Sequence, residues 1–155
     1  MMPLIKDKHK RAYMEICDVN AKLSGCLRAN RHFGAVLVDP VNNVLIASGY
    51  NGYIRGGSKH CGGDGTCARE LLKIKSGKSL EIGCVHAEEN VYINAGRQGI
   101  STVGSVLFIN CEPCNLCAPR IIQSGTVGVL FRRFGYPING LDLLTAHGVL
   151  IEEVK

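Results

Sequence analysis

The stretch CVHAEENVYINAGRQGISTVGSVLFINCEPCNLCAPR, Cys84 to Arg120, holds His-x-Glu on one side of an apolar run and Pro-Cys-x-x-Cys on the other. Any fold for this chain has to accommodate that pairing. His86 and Glu88 open one expected helix, and Cys114 and Cys117 open another. A helix start leaves free N–H groups and a positive dipole end. The i, i+3 spacing puts both thiolates on one face, and Pro113 suits a helix start, where its missing N–H costs little. With the two helix starts adjacent, His86, Cys114 and Cys117 supply three zinc ligands and leave the fourth position to water, as catalytic zinc requires. Glu88 is two residues from the ligand and does not share its helical face. At a helix end directed at the metal it still reaches that water, whose pKa zinc brings near neutral. A carboxylate there can take the proton and return it to a leaving amine. A lone Cys-x-x-Cys fits a structural half-site or a redox pair equally well, and a lone His-x-Glu carries little. The order of the parts, the proline and the intervening strand make the combination specific.

The surrounding pattern supplies the elements that such a site needs. Ala12, Ile16, Val19 and Leu23 predict one face of an amphipathic helix over about Lys6 to Leu23. FGAVLVDP (Phe33–Pro40) reads as a buried strand, and NNVLIASGYNG continues it as a hairpin. Gly52 to Gly83 is glycine-rich and irregular, with a short helix expected near Ala68–Lys75. A segment that long is functional or locally cross-linked. A helix is predicted over His86 to Ala95, ended by Gly96, and another over Cys114 to Gln123, ended by Gly125. GSVLFIN, TVGVLFRR and VLIEEV are strands, with a helix over Gly140–His147. Strands alternating with helices predict an α/β domain with a partly parallel sheet, and 155 residues suit a single domain spanning 1–155.

Composition decides how the eight cysteines are read. No apolar run approaches the ~20 residues of a membrane span, and the start MMPLIKDKHKRAYMEI has no apolar signal core. The expectation is therefore a reducing cytoplasm without a membrane partner, where disulfides are the weaker reading. Cys111, Cys114 and Cys117 fall close together, which favours metal. A formal net charge of +5 suits an anionic ligand without demanding nucleic acid.

His-x-Glu followed by Pro-Cys-x-x-Cys is the signature of zinc deaminases of cytosine and adenine. Here the chain resembles the cytidine/deoxycytidylate deaminase superfamily, and within it the deoxycytidylate (dCMP) deaminases. The likeness runs from about Ser24 to Val154, through FGAVLV, SGYNG, HAEEN, PCNLCA and GLDLLTAHGV. It implies a three-layer α/β/α fold with a five-stranded mixed sheet. It maps His86, Cys114 and Cys117 onto zinc ligands and Glu88 onto the proton shuttle in hydrolysis of dCMP to dUMP and ammonia. Asn51 maps onto an Asn-Gly that contacts the sugar, although Asn-Gly also favours a plain turn. Ala87 would hold the base edge with its backbone, and Phe131 or Tyr136 would cover the base. The loop SGCLRANRHFG borders the phosphate in relatives, which makes Ser24, Arg28 and Arg31 substrate-binding candidates. Arg55 and Lys59 are weaker ones, for the phosphate or for an allosteric nucleotide. Relatives carry further Cys/His ligands in the Gly52–Gly83 insertion, so His60, Cys61, Cys67 and Cys84 are candidates for a second, structural zinc. Many relatives are hexamers regulated by dCTP and dTTP, so a homo-oligomer with those effectors is expected.

Some features depart from the family. The loop CLRANRHFG is longer, FRRFGYPIN is unusual, and Glu112 precedes Pro113 where dCMP deaminases often carry an apolar residue. Glu-Pro-Cys is more reminiscent of tRNA adenosine and riboflavin-pathway deaminases. Three rival functions follow. One is a nucleic-acid base deaminase using Arg132, Arg133, Lys73, Lys75 and Lys78 as a basic surface. Another is a deaminase of a different free cytosine nucleoside or nucleotide, such as dCTP. The last is a non-catalytic zinc module, which would have no need of Glu88.

Overall fold

The computed structural model describes residues 5–56, 60–75, 78 and 82–155. In chain order the elements are α1 (Asp7–Ala21), β1 (Gly34–Asp39), β2 (Val44–Tyr50), β3 (Gly52–Tyr53), α2 (Ala68–Leu71), β4 (Cys84–Val85), α3 (Ala87–Arg97), β5 (Val106–Ile109), α4 (Cys117–Gln123), β6 (Gly128–Phe131), α5 (Leu141–Ala146) and β7 (Leu150–Glu153). Five strands form one sheet in the order β2-β1-β5-β6-β7. β1 runs antiparallel to β2 and to β5, whereas β5, β6 and β7 are parallel. The sheet is five-stranded and mixed, as the resemblance implied.

Period-two alternation in β1, β5 and β6 divides the core. Val36, Val38, Val106, Phe108 and Leu130 face α1, where they pack on Tyr13, Met14 and Cys17. Ala35, Leu37, Leu107, Ile109, Val129 and Phe131 face the other way, onto α3, α4 and α5. The layers are therefore α/β/α. Because both faces are covered, the strand sequences read as unbroken apolar runs.

Three sequence expectations are corrected. The buried stripe of α1 is Tyr13, Met14, Cys17, Asn20 and Ala21. The predicted stripe faces outward: Ile16, Val19 and Leu23 are 36%, 58% and 60% exposed. Shifting a stripe by one residue turns it about 100° around the helix, and both stripes have helical spacing. The larger side chains of Tyr13 and Met14 settle the choice, with Tyr13 packing on Phe108 at 5.2 Å. Gly96 does not end α3. The helix runs on to Arg97, and Gly99, at φ +69°, takes the left-handed position behind it. The Gly52–Gly83 insertion begins and ends on a two-stranded antiparallel ribbon, Gly52 opposite Val85 and Tyr53 opposite Cys84, which the sequence pattern did not indicate.

Helix α3 lies close on the edge strand β2. A Cβ at Gly49 would stand 2.6 Å from the Val91 nitrogen and 2.8 Å from the Ala87 oxygen, so only glycine admits this approach. Asn90 and Asn94 then donate to the Tyr50 and Ser48 carbonyls at 2.7 Å each. These contacts fix the position of the first turn of α3 on the sheet. Among the described residues no helix is long and apolar enough to cross a membrane.

Candidate metal and proton-transfer site

The carboxyl ends of the parallel strands β5 and β6 lie beside the start of antiparallel β1. In α/β sheets such a change of strand direction is where ligands bind. A cavity of about 160 Å³ opens there, lined among others by Phe33, Asn51, His86, Glu88, Cys114 and Tyr136.

His86 caps α3 with extended backbone, and its N–H donates to Glu89 Oε2 at 3.0 Å. Glu89 also pairs with Arg120 Nε of α4 at 3.0 Å. One carboxylate thus closes the cap of α3 and ties α3 to α4. The reciprocal cap pattern was open to sequence reasoning, a polar cap residue with Glu three positions on, whereas its pairing with Arg120 had no local signal. Cys117 is the first residue of α4 and Cys114 sits in the preceding turn, with the Cys114 carbonyl accepting from the Cys117 and Ala118 amides at 3.1 and 3.0 Å.

Both thiol sulfurs stand 3.4 Å from His86 Nδ1. Among the described residues this is the one group of three or more His, Cys, Asp or Glu whose ligand atoms all lie within 4.8 Å of one another. Tetrahedral zinc with a nitrogen at about 2.0–2.1 Å and sulfurs at about 2.3 Å places N and S roughly 3.5 Å apart. The three residues therefore fit zinc, with one position left over. Hydrogen bonding from Cys117, aided by His86, brings the Cys114 thiol down to about 4. The same contact, with burial, pushes Cys117 well up. The pair thus already supports one thiolate.

Glu88, on the first turn of α3, is only 5% exposed. Burial lifts its carboxyl to about 7, against the opposing pull of His86. It lines the cavity and stands outside the ligand group. Ala87, in the same turn, lines the cavity as well.

The other predicted residues divide. Asn51 Oδ1 accepts from Ser24 Oγ at 2.9 Å and Phe33 N at 2.8 Å, and Nδ2 donates to the Arg31 carbonyl at 2.7 Å. Asn51 lines the cavity and also staples the Ser24–Phe33 loop to β2. Ser24 supports Asn51 and is not among the lining residues, unlike Arg28 and Arg31. The Arg31 guanidinium lies over the rings of Phe134 and Tyr136, at 4.8 and 5.5 Å. Arg69, which the sequence reading did not single out, and Lys78, there part of a nucleic-acid surface, line the cavity too. Arg55 instead donates to Asn94 at 2.6 Å, and Lys59 lies outside the described residues. Tyr136 lines the cavity, whereas Phe131 is buried in the core behind it. Arg132 bonds both oxygens of Asp18 at 2.8 Å, and Arg133 pairs with Glu153 at 2.7 Å.

The four candidates for a second metal do not converge as closely. Cys61 is within hydrogen-bonding reach of Cys84 and Cys67. His60 accepts from the Gly65 amide at 3.1 Å and packs edge-on to Tyr53. Cys26, from the loop after α1, joins His60, Cys61, Cys67 and Cys84 around a small cavity of about 10 Å³.

Comparison with known proteins agrees with this geometry. The chain is 34% identical over 143 residues to the deoxycytidylate deaminase of Schizosaccharomyces pombe, covering 91% of this chain and 42% of that one. It is 30% identical over 139 residues to the Saccharomyces cerevisiae enzyme, covering 84% and 39%. It thus spans about two fifths of the length of either yeast relative. The crystal structure of dCMP deaminase from the cyanophage S-TIM5, in complex with dCMP and dUMP, superposes with a TM-score of 0.78 at 27% identity, over 97% of this chain and 99% of that one. A tRNA:A34 deaminase at 19% identity and a TM-score of 0.59 shares the fold. Residues 7–132, from α1 through all three ligands to the end of β6, match the model of the cytidine and deoxycytidylate deaminase zinc-binding region, and the chain belongs to that family.

Proposed function

We propose that this chain hydrolyses dCMP to dUMP and ammonia. The observation that carries the proposal is a buried carboxylate, Glu88, that shares one cavity with the His86–Cys114–Cys117 group and with the cations Arg28, Arg31, Arg69 and Lys78. The match over nearly full length to a cyanophage dCMP deaminase supports it.

A bound zinc supplies Lewis acidity and brings the pKa of a water near neutral. Glu88 takes one proton from the attacking water and passes it to ring N3 as the bond from C4 to oxygen forms. It then takes the second proton from the new C4 hydroxyl and gives it to the exocyclic amine, which leaves as ammonia as the bond from C4 to nitrogen breaks and C4 becomes a carbonyl. Burial suits Glu88 to this, because a group that titrates near neutrality both accepts and returns protons. Tyr136 and Phe33 form the apolar wall for the pyrimidine, the main chain of Ala87 meets the base edge, and Asn51 faces the sugar. Arg132 and Arg133 are engaged by Asp18 and Glu153, which weakens a nucleic-acid surface built on them. Turnover of dCMP, dCTP, deoxycytidine and an RNA hairpin, assayed side by side, tests the assignment. dCMP is expected to lead, and preference for any of the others overturns it.

Arg28 and Arg31 line the cavity and Ser24 does not, so the arginines are the phosphate partners. Arg28→Ala is expected to weaken dCMP use while sparing deoxycytidine. A charge-assisted hydrogen bond contributes roughly 1.5–3 kcal/mol, or about a 10- to 150-fold loss in kcat/KM. An equal loss on both substrates would remove Arg28 from the phosphate.

The same proposal includes a second, structural zinc on Cys61, Cys67 and Cys84. His60, the fourth ligand expected from the sequence, uses Nδ1 to accept from Gly65, and both His60 and Cys26 line the small cavity with the three cysteines. Elemental analysis of metal-replete protein is expected to give two zinc ions per chain, falling to one in Cys61→Ser. A single zinc in fully active parent protein rejects the second site. The oligomeric state expected from relatives, a hexamer, and control by dCTP and dTTP belong to the same proposal. Size measurement and turnover with each nucleotide added check them.

A further inference from the structure

The chemistry above does not use Glu112, the acidic residue of the Glu-Pro-Cys run. It is 1% exposed and lies two residues before the ligand Cys114. A buried carboxylate needs partners, and those of Glu112 lie in the loop after β6. Phe134 N–H donates to Oε2 at 3.0 Å, and Gly135 N–H donates to Oε1 at 3.1 Å and to Oε2 at 3.3 Å. Arg133 adds an ion pair at 3.6 Å. Gly135 has φ +99°, a conformation that side chains resist. It makes two successive N–H groups converge on one carboxylate, as in an anion-binding nest. The far end of the loop is tied to the same place, since Gly140 N–H donates to the Pro113 carbonyl at 2.7 Å.

Between these two ties the loop carries an aromatic wall. Phe134 and Tyr136 lie 5.0 Å apart, and both pack on Phe33, at 5.2 and 6.1 Å. Arg31 covers them. Tyr136 and Ile138 line the cavity.

We infer that Glu112 is a positioning residue: it fastens the Phe134–Tyr136 wall to the metal-ligand loop, so that the surface that receives the pyrimidine and the group that reacts with it keep one fixed separation. Its effect on substrate rests on the deaminase reading above; its effect on the loop does not. In Glu112→Gln the two amides share at most one uncharged oxygen, and Gly135 N–H meets an amide donor in place of its second acceptor, which loosens the wall without a change in size.

Two measurements on the zinc-loaded protein test this. Amide hydrogen exchange needs no substrate. Exchange at Phe134 and Gly135 is expected to accelerate in Glu112→Gln while exchange in β5 and α3 stays as in the parent. Unchanged protection at those two amides overturns the inference, whether or not the parent deaminates dCMP. Failure of the parent on dCMP would overturn the functional assignment instead. With activity in hand, KM for dCMP is expected to rise about tenfold, from loss of a charged acceptor, with kcat and bound zinc little changed. In a Tyr136→Ala background the same substitution should add little further, because the coupling of two residues acting through one contact is non-additive. Losses that multiply, or a fall in kcat together with zinc content, would show that Glu112 serves the metal loop and not the wall.

Discussion

Glu88→Gln is expected to leave a folded, zinc-loaded protein whose turnover of dCMP falls by about 10²–10⁴-fold, the usual worth of general acid–base catalysis. The loss should reach the upper end of that range, since in the proposed reaction one carboxylate serves the water, the ring nitrogen and the leaving amine in turn. Glutamine keeps the shape of the buried side chain and can hydrogen bond, but it cannot exchange a proton. Glu88 stands outside the ligand group, so zinc content should stay at the parental level. Removing a charge from a site only 5% exposed relieves a desolvation penalty, so the thermal midpoint should not fall. Steady-state turnover, elemental zinc and thermal unfolding of the same preparation separate these effects. Near-parental turnover would remove Glu88 from the proton path. Lost zinc would make it a ligand or a support of one.

What was legible in the sequence follows how local each constraint is. His86, Glu88, Cys114 and Cys117 were legible because metal chemistry demands particular side chains at particular spacings. β1, β5 and β6 were legible because strands covered on both faces cannot alternate with polar residues. The face of α1 was not, because two apolar stripes a single residue apart satisfy the same helical period, and only the fit of Tyr13 and Met14 against Phe108 separates them. The neck of the Gly52–Gly83 insertion was not legible either, since two strands of two residues each leave no periodicity. Glu89 and Glu112 mark the deeper limit. Each does its work by joining segments remote in sequence, Glu89 to Arg120 and Glu112 to Phe134 and Gly135. Taken locally, they are two more acidic residues beside a metal motif. That Glu112 precedes Pro113 was visible at once; what holds its carboxylate needed the loop after β6 beside it.

Removing zinc is expected to lower the thermal midpoint as well as activity, because the metal site is part of the core. Cys117 is fully buried at the start of α4, and His86 caps α3. A zinc held there would cross-link two helices that the Glu89–Arg120 pair and a shared apolar core also join. A ligand bound only to the folded state at about 100 to 1,000 times its Kd stabilises by roughly 2.7–4.1 kcal/mol. For a chain of this length each kcal/mol moves Tm by about 2–4 °C, so stripping should lower the midpoint by roughly 5–15 °C. Re-adding zinc should restore both midpoint and turnover, whereas magnesium should restore neither, since thiolate and imidazole donors suit it poorly. A structural ion in the Cys61 cluster would contribute to the same shift, and His86→Ala separates the two. In that variant the zinc held by Cys114 and Cys117 is weakened while the Cys61 cluster is untouched. Turnover should vanish, and any midpoint shift that still follows added zinc belongs to the second cluster. A parent whose midpoint and activity both ignore a strong chelator that demonstrably removes its zinc would show that His86, Cys114 and Cys117 do not hold a metal the protein uses.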